Sequence, residues 1–74
     1  MRLIDLYEKL DSTQRKHLAE KAGVDAGYLW QIGTHWNNRR PSVTVIQRLV
    51  DADRRLTSRD LVAEFAQDRE PVNA

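Results

Sequence analysis

The chain has 74 residues, 41% of them hydrophobic and 31% charged, and a net charge of +1. That is room for one domain with a modest core and too little for an enclosed catalytic cleft. It contains no cysteine, which excludes disulfides and thiolate metal sites, and no apolar run approaches the length of a membrane span or a signal peptide's hydrophobic region, so a cytoplasmic protein that does not engage the membrane is expected.

Leu3, Leu6, Tyr7 and Leu10 recur at helical spacing and predict a first amphipathic helix over residues 2–10. Asp11 or Ser12 opens a second helix, and Asp11 with Gln14 has the spacing of a capping box. Leu18, Ala19 and Ala22 give it an apolar stripe, and Gly23 supplies the positive-φ position that ends it. Val24 plugs the gap to a third helix, which Asp25 caps and which runs from about Ala26 to Ile32 or Thr34, with Leu29 and Ile32 facing inward. A polar loop, HWNNRRP, follows. Pro41 and Ser42 mark a fourth start, with Ile46, Leu49, Val50 and Val45 as its stripe. The β-branched run Val43–Ile46 also fits a strand, although no hairpin turn follows and a helix is favoured. Thr57 begins a last helix with Asp60 as its box partner and Leu61, Val62 and Phe65 on its apolar side. The domain is expected over residues 1–67, with Asp68–Ala74 a frayed tail.

The small net charge conceals an uneven distribution. Residues 1–13 and 41–74 each carry one more acid than base, whereas residues 14–40 carry Arg15, Lys16, Lys21, Arg39 and Arg40 against Glu20 and Asp25. The positive excess therefore lies on the helix–turn–helix stretch, in which the second helix of the pair enters the DNA major groove. At about 100° per residue, the side of the third helix opposite Leu29 and Ile32 carries Gly27, Trp30, Gln31 and Thr34. Gln31 can offer a paired donor and acceptor to adenine, Thr34 can bond a base or phosphate or meet a thymine methyl, and Trp30 can cover thymine methyls or sugar. Gly27 costs helix stability, for which close approach to DNA would be a reason. Arg15 and Lys16 at the start of the second helix, and Asn37, Asn38, Arg39 and Arg40 after the third, are candidate phosphate contacts.

The ordered set Leu18-Ala19, Gly23-Val24, Tyr28-Leu29-Trp30-Gln31-Ile32, Arg39-Arg40-Pro41-Ser42 and Thr57-Ser58-Arg59-Asp60-Leu61 resembles the Cro and repressor helix-turn-helix superfamily of phages and bacteria, closest to YdaS-like and Cro-type small regulators. The resemblance covers about residues 13–62. It implies an all-α, lambda-repressor-like domain of four to five helices that represses transcription at a short operator, often as a homodimer, with Arg15, Tyr28, Gln31 and Arg39 where such proteins touch DNA. Trp30 stands where the family has a small serine, and the loop Gly33–Asn38 is longer than the usual short link. Trp36 in that loop is open to roles as extra core or, with Phe65 and Val62, as a dimer contact.

Two other readings remain at this point. One is an antitoxin that represses its own operon and also binds a toxin; the other is a DNA-independent helical interaction module anchored by Trp30 and Trp36. No nucleophile–base or carboxylate pair that would support catalysis can be assembled, Asp51 and Asp53 being two positions apart on a helix, and no cofactor or metal site is expected from two histidines eighteen positions apart.

Overall fold

A computed structural model describes residues 1–66. These form five α-helices, α1 (Leu3–Lys9), α2 (Ser12–Ala22), α3 (Ala26–Gly33), α4 (Val43–Ala52) and α5 (Ser58–Ala66), with a single 3-10 turn at Trp36–Asn38 and no strand among the described residues. The expected tail, Asp68–Ala74, lies outside them.

The boundaries are set by side chains that satisfy the N–H groups a helix start leaves without an intrahelical acceptor. Asp11 accepts from the Gln14 N–H at 2.8 Å while Gln14 Oε1 accepts from the Asp11 N–H at 2.9 Å, a complete capping box before α2. Asp25 accepts from the N–H groups of Gly27 and Tyr28 before α3, and Ser42 from Val45 before α4. Thr57 Oγ1 accepts from the Asp60 N–H at 3.1 Å, half of the box expected there. The other half is not used, because the Asp60 carboxylate pairs with the amino group of Met1. Gly23 ends α2 at φ +70°, which lets the Val24 N–H reach back to the Ala19 carbonyl at 3.0 Å.

α1 packs on α3, α2 on both α3 and α4, and α4 on α5. Leu3, Leu6, Leu29, Ile32, Leu49, Leu56 and Leu61 are almost completely excluded from solvent and form the centre of the core. The run Val43–Ile46 is helical: Ser42 caps it, Ile46 and Leu49 supply an inward pair three apart, and Val43, which a strand would alternate with Val45, is 82% exposed. The last helix corrects one expectation. Val62 is 55% exposed, and Glu64 takes the third inward place beside Leu61 and Phe65.

Glu64 is only 3% exposed and would be costly to bury without partners. It has three. Its carboxylate accepts from the N–H groups of Leu3 at 2.6 Å and Ile4 at 3.1 Å, and His35 Nε2 lies 2.5 Å from Oε2. Arg2, at the N-cap of α1, supplies no side-chain cap of its own. The cap comes instead from α5, so one carboxylate joins α1, α5 and the loop after α3.

Candidate nucleic-acid interface

α2 and α3 are joined by three residues, Gly23, Val24 and Asp25, and packed against each other by Leu18, Ala19, Ala22, Leu29 and Ile32. Because Leu29, Ile32 and Gly33 fill the inward side of α3, the 3.6-residue repeat turns Gly27, Gln31 and Thr34 outward, with Trp30 on one flank and Tyr28 on the other. Ala26, Gly27, Trp30 and Thr34 are exposed, and Tyr28 and Gln31 are half-buried. No outward residue is needed to complete the core.

The three glycines have separate reasons. Gly23 occupies a left-handed turn. At Gly27, an added Cβ would lie 3.0 Å from the Asp25 carboxylate oxygen that caps the helix, so a bare position keeps room for the cap without any outside ligand. At Gly33, an added Cβ would come within 2.7 and 2.8 Å of Tyr7 ring atoms. The closeness of α1 to α3 thus depends on a missing side chain at the end of α3, a position the sequence places only between the helix and the loop.

Trp30 and Trp36 form an exposed pair, 44% and 45% accessible, with ring centroids 6.0 Å apart and planes inclined by 43°. The loop is bent to make this contact. His35, Asn37 and Asn38 all adopt left-handed backbone, with φ of 58°, 55° and 54°. Asparagine tolerates that region better than most residues, which gives Asn37 and Asn38 a conformational role that reading them as phosphate contacts overlooked. The Asn38 N–H donates to the His35 carbonyl and the Arg39 N–H to the Trp36 carbonyl, closing the turn. The Thr34 hydroxyl donates to the Trp30 carbonyl at 2.7 Å, which leaves its oxygen available only as an acceptor.

Cations lie at both ends of α3. Arg15 and Lys16 share an open cleft with Ser12, Tyr7 and Ala26, next to the start of the helix. Arg15 lies inside the first turn of α2 and not at its open end. The helix begins at Ser12, the Arg15 N–H is bonded to the Asp11 carbonyl, and the end itself carries the Asp11 carboxylate. Its guanidinium is held 4.1 Å above the Tyr7 ring while Nε–H donates to the Tyr7 carbonyl at 3.0 Å. Lys16 is exposed. Arg39 and Arg40 are exposed after the turn, and Arg40 also borders a groove between α4 and α5. No acid occurs between residues 26 and 50, and among the described residues no carboxylate is within ion-pair distance of Lys16, Arg39 or Arg40.

Two other arginines are paired with neighbouring acids. Arg2 pairs with Asp5, and Arg55 holds Asp53 through two guanidinium hydrogen bonds and its own N–H. The hydrogen bond from Arg55 keeps the Asp53 carboxyl below its ordinary range, and the bond from Arg2 does the same for Asp5. Among the described residues, no three histidine, aspartate or glutamate side chains gather as a metal cluster would, and no helix is long and apolar enough to cross a membrane. Compared with known proteins, the chain matches no family model, no curated protein and no solved structure.

Proposed function

We propose that this chain is a sequence-specific double-stranded DNA-binding regulator of transcription, with α3 as the helix that enters the major groove. The observation that carries the reading is the outward side of α3: Gly27, Trp30, Gln31 and Thr34 serve no core, and cations without an ion-pair partner among the described residues lie near both ends of the helix, Lys16 at its start and Arg39 and Arg40 beyond its end. A duplex presents phosphates on both walls of a groove whose floor carries base edges, and this surface has the complementary order. The helix, three-residue turn and helix agree with the resemblance to Cro and repressor regulators, and a cytoplasmic repressor of phage or bacterial type is the particular member of the class proposed. The protein's role is binding and not catalysis.

Within this proposal Gln31 reads a base, Arg39 and Arg40 hold phosphates beyond the end of α3, and Arg15 and Lys16 hold a phosphate at its start. A homodimer is part of the reading. Pro41, Val43, Ile46, Val62, Phe65 and Ala66 line an open groove of about 490 Å³, and the exposed Val43 and Val62 on it would be covered by a second copy. Two copies bind inverted half-sites about 34 Å apart.

Fluorescence anisotropy on duplexes selected from a random pool tests the assignment. Affinity should fall steeply with salt, with a slope on a log–log plot that drops by about 1 for each phosphate-binding arginine replaced by alanine. Gln31→Ala should instead lower discrimination between bases, by about 1–3 kcal/mol at one position. Absence of binding at low salt rejects the proposal.

A further inference from the structure

Trp30 and Trp36 are the largest exposed side chains of the fold, and neither belongs to the core cluster. Their geometry limits what they can receive. A base held between two rings needs parallel planes about 6.8 Å apart, twice the stacking rise. A separation of 6.0 Å at 43° does not admit one, so the pair is not a clamp for an unstacked base. It presents instead a continuous apolar surface on the flank of α3, beside Thr34, whose hydroxyl proton is directed back to the Trp30 carbonyl. The main-chain bend that brings Trp36 alongside is held by the hydrogen bonds of the 3-10 turn, and Arg39 and Arg40 follow immediately, so the aromatic surface lies on the chain next to groups suited to a polyanion. The apolar feature that the floor of a major groove offers is the C5-methyl group of thymine.

Resting on the duplex-binding reading above, we propose that the Trp30–Trp36 pair is a specificity surface that selects thymine by its methyl group, under the C-terminal half of α3. Gln31 and the tryptophans then divide the work: one reads by hydrogen bonds, the other by burial of methyl carbon. The expected effect is modest per base, since removing one methyl from a buried contact weakens binding about 3- to 5-fold.

The test uses the full chain and the duplex selected from a random pool, with thymines replaced one at a time by deoxyuridine. This removes the methyl and leaves the phosphates and base pairing unchanged, so it reads the contact even if a tryptophan variant folds poorly. At least one replacement should weaken binding about 3- to 5-fold, and Trp30→Ala or Trp36→Ala, with helicity checked by circular dichroism, should bind the two duplexes equally. Equal binding of thymine and deoxyuridine duplexes by the unaltered protein, with salt-dependent affinity retained, overturns the methyl reading and leaves duplex binding standing. A selected site without thymine does the same. If Trp30→Ala turns a dimer into a monomer and leaves the thymine-to-deoxyuridine ratio unchanged, the pair is a protein contact and the proposal fails. Loss of all duplex binding at low salt overturns this inference together with the function beneath it.

Discussion

Along the seam where α1 meets α5, polar groups are matched within the chain: Glu64 takes two N–H groups and His35, and the Met1 amino group meets Asp60. On the outward side of α3 and in the loop after it, two indoles stay half-exposed although they touch each other, and two arginines face solvent with no ion-pair partner among the described residues. The same short chain therefore separates its charges by role. Glu64 in the seam satisfies the backbone N–H groups that open α1; Arg39 and Arg40 after α3 do no structural work that the fold reveals among the described residues. A surface whose removal the fold would not notice is where binding residues are sought, and a seam whose removal it would notice is where stability resides.

Glu64→Ala should produce the largest effect. It strips the acceptor from two N–H groups of α1 and leaves His35 without its partner, at a cost of about 3 kcal/mol in urea denaturation, a large part of the stability available to a domain of this size. Gly33→Ala follows, at about 1–3 kcal/mol, because the new methyl must displace a Tyr7 ring pinned under Arg15. Gly27→Ala is its control: the gain in helix propensity offsets the pressure on the Asp25 cap, and little net change is expected. A smaller effect comes from acid. The Asp53 carboxyl is depressed in the folded state by Arg55, so the folded protein binds fewer protons than the unfolded chain just below the ordinary aspartate value of 3.8. Its contribution is present above that value and is lost as pH falls through the lower folded value, and the stability difference from Asp53→Asn should shrink over that range in denaturation at successive pH values. Arg39→Ala with Arg40→Ala should change stability least, within about 0.5 kcal/mol. A loss comparable to that of Glu64→Ala would break the contrast between the two regions.

The helix boundaries were legible because the capping residues act locally. Asp11, Asp25, Ser42 and Thr57 each accept an N–H two or three positions ahead, and a window of four residues contains the whole interaction. The inward side of α3 was legible for the same reason of short periodicity. Two parts were not. On α5, Leu61 and Phe65 define the stripe whether Val62 or Glu64 completes it, and hydrophobicity alone ranks valine first. What reverses the order is a need located 61 residues away, the uncapped start of α1. In the loop from Thr34 to Arg40 there is no period to read, and the left-handed turns at His35, Asn37 and Asn38 decide where Trp36 goes. That contact with Trp30 is a property of the bent chain and not of any residue in it.

The reach of Glu64 back to the first turn also bears on how the chain assembles. A seven-residue helix such as α1 does not hold together on its own, and its opening N–H groups wait for an acceptor that is synthesised near the other end of the described segment. α1 is accordingly made well before the acceptor that finishes it, and a nascent chain arrested before residue 64 carries α1 and α3 already encoded but without the clasp that joins α1 to α5.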